Sequence, residues 1–172
     1  MTDFYDASKM IEAFEAKERL PVIFAMEGGV LSAQEKAFFT HKLPFGFILF
    51  ARNCENPEQL KALVADLREC VGWRCPILID QEGGRVMRLK SPHWPKLPAS
   101  RFVGDAGTAA VKLQARILAR ELLDLGIDVD CMPVADVYKE GVTDECIGDR
   151  AYGTHPEMVG LYCADFIAQS YA

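Results

Sequence analysis

Hydrophobic residues along the chain keep two rhythms in turn. Short apolar runs predict strands over residues 21–26, 45–50, 76–80 and 127–134. The last alternates at first, Ile127, Val129 and Cys131 against Asp128 and Asp130. Between the runs, apolar positions return every three or four residues, the period of a helix with one buried face. Ser32 and Glu35 form a capping box for the first of these helices, which Leu43-Pro44 ends. Asn56, Pro57 and Gln59 open a second. Leu60, Leu63, Val64 and Leu67 mark its inner face and Gly72 its stop. Val111, Ala115, Leu118, Leu122 and Leu125 predict a long helix over residues 106–125, with Gly126 at its C-terminal stop. Thr154 and Glu157 read as a further capping box, opening a helix at His155. Ahead of the first strand, Phe4, Ala7, Met10, Ile11 and Phe14 predict an amphipathic helix. Residues 91–100, with Pro92, Pro95 and Pro98 beside His93 and Trp94, are predicted irregular.

Strand and helix thus alternate strictly, which implies parallel strands joined by right-handed crossovers. A doubly wound sheet and a barrel both satisfy the pattern. No G-x-G-x-x-G follows the first strand and no G-x-x-x-x-G-K-[ST] occurs, which counts against a nucleotide-binding sheet. In a barrel the chemistry sits at the C-terminal strand ends. Arg52, Asn53, Asp80, Glu82 and Asp136 all fall there, with Arg52 and Asn53 as candidate rim residues. The expected class is therefore α/β, a (β/α)8 TIM-barrel type with only its first four βα units. A whole barrel takes about 250 residues, and this chain has 172. Residues 1–20 are expected as a helical extension and residues 21–172 as the N-terminal half of the barrel. Phe166, Ile167 and Tyr171 still keep the apolar period up to Ala172, the pattern of a truncated helix.

Composition narrows the partners more than the fold. Half the residues are hydrophobic, enough to bury a core. A net charge of -6 and a pI near 5.1 argue against nucleic acid or an anionic membrane as the main partner. No apolar run is long enough to cross a bilayer. Residues 1–17 lack the basic start and apolar core of a signal peptide, so a cytoplasmic location is expected. Cys54, Cys70, Cys75, Cys131, Cys146 and Cys163 form no C-x-x-C pair and have no His at ligand spacing. They are expected as reduced thiols, with no metal and no cofactor.

The densest chemistry lies in residues 76–90, Pro-Ile-Leu-Ile-Asp-Gln-Glu-Gly-Gly-Arg-Val-Met-Arg-Leu-Lys. A buried strand ends at Asp80, with Glu82 two positions on. Gly83 and Gly84 permit a turn or a close approach that a Cβ forbids. Arg85 and Arg88 follow. A carboxylate accepts from hydroxyls and a guanidinium donates in a planar fork, so the group suits a polyhydroxylated ligand. A solvated turn carrying a salt bridge is the plainer alternative. Arg85 lies between Gly84 and Val86, two expected buried positions, and is expected to pair with Glu82. Asp136 is expected to organise hydrogen bonds at the end of the fourth strand.

The string Ile79-Asp80-Gln81-Glu82-Gly83-Gly84-Arg85-Val86, with Arg88 beyond it, resembles the signature of glycoside hydrolase family 3. It is most similar to the bacterial cytoplasmic β-N-acetylglucosaminidases that recycle cell-wall sugars. Residues 46–53, Gly-Phe-Ile-Leu-Phe-Ala-Arg-Asn, and 147–153, Ile-Gly-Asp-Arg-Ala-Tyr-Gly, agree in order and spacing. The resemblance implies that Asp80, Arg88 and Arg150 bind the sugar to be cleaved. By position alone, Arg150 has the alternatives of capping the next helix or pairing with Asp149. The implied activity is retaining removal of terminal N-acetyl-β-D-glucosamine from peptidoglycan fragments. The family's acid/base loop, in a Lys-His-Phe-Pro-Gly-His-Gly context, and its nucleophile, in a Ser-Asp-Asp context, do not occur in this chain. The resemblance implies that the nucleophilic Asp and the His/Asp acid/base pair lie beyond Ala172. His41, His93 and His155 match neither context, so no catalytic residue is expected here and the chain alone is expected to be inactive. Two other readings stand beside this one. One is a non-catalytic sugar-binding half-barrel; the other is a barrel enzyme using Asp80 and Glu82 as a carboxylate pair.

Overall fold

The computed structural model describes residues 19–171. The helix expected over Phe4 to Phe14 lies outside the described residues, as does Ala172, the position beyond which the catalytic groups are expected. The elements run β1 (Leu20–Phe24), α1 (Ala33–Lys42), β2 (Pro44–Leu49), α2 (Pro57–Val71), β3 (Ile77–Ile79), α3 (Ser100–Asp105), α4 (Thr108–Leu125), β4 (Val129–Asp130) and α5 (Pro156–Ser170). Single 3-10 turns lie at Ala51–Asn53 and Gly148–Arg150. The four strands form one sheet in chain order, β1-β2-β3-β4. β1 and β2 pair parallel, with Ile23 opposite Gly46 and Phe24 opposite Phe47. Phe47 N–H donates to Pro76 O at 3.0 Å, and Asp128 and Cys131 N–H donate to Ile77 and Ile79 O. The fold class is α/β with parallel strands, as the alternation predicts.

Local chemistry explains most boundaries. The Ser32 hydroxyl accepts from Glu35 N–H, and Ser32 N–H donates to the Glu35 carboxylate, the reciprocal capping box. Leu43 ends α1 in the left-handed region at φ 48°, and Gly72 ends α2 at φ 71°. Three boundaries differ from expectation. β4 covers two residues and not eight; past Cys131, whose N–H still donates to Ile79 O, Pro133 offers no N–H to continue the ladder. The long helix starts at Thr108, preceded by the separate α3; Gly107, at φ 90°, breaks the run between them. Thr154 does not cap α5. Pro156 takes the first helical position and makes His155 the cap residue, while the Thr154 hydroxyl sits 3.0 Å from His155 Nδ1. α5 itself ends at Ser170, with Tyr171 as its cap residue.

The described residues divide into two compact units, 19–78 with 125–129, and 79–124 with 130–171. In the first, α2 buries Leu60, Leu63, Val64, Leu67 and Val71. Phe39 of α1 packs edge-on against Phe47 of β2, ring centroids 4.9 Å apart. In the second, the core joins Met87, Leu97 and Val103 to Val111, Ala115 and Leu118 of α4 and to Val159, Tyr162, Cys163 and Phe166 of α5. That core is the platform under the loops described next.

Candidate functional site

Asp80 follows β3 directly, where the ladder stops and the chain turns through Gly83 and Gly84. Glu82 N–H donates to Val86 O at 2.9 Å and closes this turn. Gly83 sits at φ 103° and Gly84 at φ 57°. A Cβ on Gly83 would meet Pro98 O, and one on Gly84 would come 2.6 Å from Ala99 Cβ. Both positions therefore need glycine, for angle and for space. Gln81, fully buried, fastens the far side: its Oε1 accepts from Arg88 N–H at 2.8 Å and Leu89 N–H at 3.0 Å. From α4, Gln114 Nε2 donates to Glu82 O and Pro98 O. The turn is held from three directions before any charge is counted.

Two arginine–carboxylate pairs stand on this frame. Arg88 Nη2 donates to Asp80 Oδ2 at 2.6 Å, and both side chains are about a quarter exposed. Arg150, from the 3-10 turn after β4, grips Glu82 with both arms: Nε to Oε2 at 2.8 Å and Nη2 to Oε1 at 2.7 Å. The Glu82 side chain is only 5% exposed, so this bidentate partner stabilises an otherwise costly buried charge. The Glu82 hydrogen bonds, before the nearby Asp136 and Asp80 charges, raise the Arg150 guanidinium above its usual value. Arg150 Nη1 also donates to Cys146 O at 2.9 Å. A guanidinium carries five N–H groups, so two remain for a ligand.

Asp130 and Cys131 join the cluster from β4. Asp130 Oδ1 accepts from Gln81 N–H at 3.0 Å, while Oδ2 has no hydrogen-bond partner among the described residues. Burial, reinforced by the Glu82 and Asp80 charges against the pull of the Gln81 amide, pushes the Asp130 carboxyl up to about 7. Desolvation of the Cys131 sulfur, then the nearby Asp80 carboxylate, pushes its thiol up to about 12 although the residue as a whole is exposed. It is a poor nucleophile there.

The expected site residues come together with altered partners. Asp80, Arg88 and Arg150 lie in one unit at one loop cluster. Arg85 does not pair with Glu82 and is not internal: it is exposed, and its Nε donates to Asp149 Oδ1 at 3.1 Å. Asp149 is thereby taken from Arg150, which holds Glu82. Asp136 is exposed and acts on Arg150 through its charge. In the first unit Asn53 is fully buried and not a rim residue. Its Nδ2 donates to Met26 O and Gly28 O, and Arg52 Nε donates to Met26 O, fixing the segment after β1. A carboxylate pair Asp80/Glu82 is ill-suited to acid/base work, since Arg150 occupies both Glu82 oxygens. Among the described residues no group of three or more His, Cys, Asp or Glu is placed to hold a metal ion.

Residues 16–169 match the Glycosyl hydrolase family 3 N terminal domain. The chain belongs to glycoside hydrolase family 3. It is 39% identical over 148 residues to a family relative, the beta-hexosaminidase of Bordetella avium (strain 197N), covering 82% of this chain and 42% of the relative. It is 39% identical over 140 residues to the beta-hexosaminidase of Methylococcus capsulatus (strain ATCC 33009 / NCIMB 11132 / Bath), covering 80% of this chain and 41% of that protein. NagZ from Neisseria gonorrhoeae, solved in complex with N-trifluoroacetyl-D-glucosamine, matches with a TM-score of 0.79 at 32% identity, over 88% of this chain and 47% of its own. The chain therefore spans about two fifths of the length of the curated relatives it matches. In family 3 terms, its four parallel strands are the first half of a TIM-barrel-type domain. Gln81, Asp130 and Cys131 are the site neighbours that the family string alone does not single out. The one signal for Asp130 is its place, an acid at a strand end beside another strand-end acid.

Proposed function

We propose that the whole protein is a retaining β-N-acetylglucosaminidase of the cytoplasm. It removes terminal N-acetyl-β-D-glucosamine from peptidoglycan fragments during cell-wall recycling, and residues 21–172 supply the sugar-binding half of its barrel, with residues 1–20 as a helical extension. The observation that carries this reading is the paired but part-exposed Asp80 and Arg88 at the end of β3, beside an Arg150 with donors to spare. A carboxylate and two guanidiniums fixed by a buried frame meet the hydroxyls of a pyranose with both acceptors and donors. The gonococcal relative solved with a glucosamine derivative supports the choice of sugar. Leu20, Val22 and Ile23 of β1 stay 38–41% exposed, which fits a sheet that further βα units cover.

Hydrolysis needs a group to protonate the leaving oxygen and another to capture the developing cation, about 5 Å apart in a retaining enzyme. The acid/base and nucleophile segments of the family pattern are absent from these 172 residues, and in the whole protein they belong beyond Ala172. Binding alone does not raise turnover. The 172-residue chain should therefore release no nitrophenol from the aryl β-N-acetylglucosaminide, whereas the full-length protein should turn it over.

Asp80→Ala in the full-length protein tests the binding role. Each charge-assisted hydrogen bond from a sugar hydroxyl is worth about 1.5–3 kcal/mol. Affinity for N-acetylglucosamine should fall about tenfold or more by calorimetry. An unchanged dissociation constant, with the circular dichroism spectrum intact, refutes the assignment.

A further inference from the structure

Residues 143–150 carry Arg150 and form a turn whose carbonyls call for donors. Ile147 and Gly148 N–H both donate to Thr143 O, which makes one helical turn. The carbonyls of Glu145, Cys146 and Ile147 lie at its C-terminal end, the negative end of a helical segment. Ile147 O accepts from Arg150 N–H at 2.9 Å. Arg85 serves all three from the opposite loop. Its Nη2 lies 3.3, 3.1 and 3.1 Å from those carbonyl oxygens, and its Nε donates to Asp149 at 3.1 Å. Arg150 then reaches back to Glu82, beyond the Gly83-Gly84 turn, and shares the Cys146 carbonyl with Arg85. The two loops are latched twice in opposite directions, Arg85 to the 145–149 segment and Arg150 to the 80–86 turn.

We propose that Arg85 and Asp149 are positioning residues that present the Arg150 guanidinium to the sugar by holding the 145–149 segment against the Gly83-Gly84 turn. The inference rests on the reading that Arg150 meets a sugar, and adds residues that need not touch one. Arg85 is half-exposed and stands outside the core of its unit, so its loss frees the segment and not the unit. A planar fork can bridge a carboxylate and several carbonyls at once; a lysine ammonium supplies the charge but not that span.

The test is a thermodynamic cycle in the full chain, with hydrogen exchange read beside it. Arg85→Ala should weaken N-acetylglucosamine binding about tenfold by calorimetry, while in an Arg150→Ala background it should change binding less than about twofold. Arg85→Lys should recover part of the loss, and Asp149→Asn should reproduce part of it. Amide exchange at Ile147, Gly148 and Arg150 should rise about tenfold or more in Arg85→Ala, with exchange in α4 unchanged. Equal losses of affinity in both backgrounds overturn the proposal, as does exchange that rises evenly through α4. If the unsubstituted chain shows no sugar binding, the proposed function fails. The exchange comparison then decides the latch by itself, with unchanged exchange at residues 147–150 refuting it.

Discussion

Asp128 and Asp130 flank a single residue of β4, and each accepts a backbone N–H from the neighbouring β3 segment, yet their surroundings are opposite. Asp128 takes Ile77 N–H and Arg68 on Oδ2, at 3.0 and 2.6 Å, and Arg74 on Oδ1 at 2.8 Å. Asp130 takes Gln81 N–H and, among the described residues, pairs with no cation; Glu82 and Asp80 stand near it instead. At the entry end of the strands, charge is matched and locked. At the exit end, acids outnumber the arginines left to serve them, and burial, reinforced by that surplus, pushes the Asp130 carboxyl up to about 7. A fold that needed only stability would not leave that surplus. Perturbed groups of this kind gather where a ligand binds.

The contrast breaks most readily at Asp128. Asp128→Ala takes the shared carboxylate from two arginines and a buried N–H, and should cost about 3–5 kcal/mol in urea unfolding. A loss under about 1 kcal/mol would show that the matched end is not held by its charges. Asp130→Asn should act the other way, and with pH. The folded carboxyl lies well above the ordinary 3.8, so its favourable contribution is complete below that value and is lost as pH rises through about 7. The asparagine variant should be more stable than the parent by on the order of 3 kcal/mol near pH 9, and equal to it near pH 4. A stability difference that does not change with pH would mean that Asp130 does not titrate in the fold.

Smaller effects sharpen the same picture. Asp80→Ala should cost only about 1 kcal/mol of stability, because its pair with Arg88 is partly solvated, and the proposed binding role puts its larger effect on sugar affinity. Thermal unfolding reads the first quantity, and a loss of several kcal/mol would make Asp80 a structural residue. Arg74→Ala should cost least, about 0.5 kcal/mol, since Arg74 is 45% exposed and Arg68 still serves Asp128. An effect as large as that of Asp128→Ala would locate the bond strength in Arg74.

Much of the architecture was legible in the chain because it follows from local rules. Periodicity separated strands from helices. Ser32, Asn56, Gly72 and Gly126 marked helix ends, and the Gly83-Gly84 pair announced a turn that admits no Cβ. Where local rules competed, the stronger won: Pro156 took the first helical position and moved the cap from Thr154 to His155, and Pro133 cut β4 short. The string from Asp80 to Arg88 marked the family for the same reason, since its residues lie within a few positions of one another.

The sequence by itself determined the fold class, the order of the elements and the family. It could not determine who pairs with whom. Two arginines and two acids, Arg85, Arg150, Glu82 and Asp149, allow two matchings, and proximity along the chain favours Arg85 with Glu82 and Arg150 with Asp149. The structure adopts the other, crossing between loops that lie more than sixty residues apart. Burial decides it. Glu82, nearly shut from water, needs a bidentate partner on both oxygens, and only Arg150 arrives in that geometry. Asp149 and Arg85, both well exposed, can be satisfied by a single bond and by backbone carbonyls. Spacing marks the apolar faces that are buried, but which of two nearby acids is shut from water is a property of the packed chain.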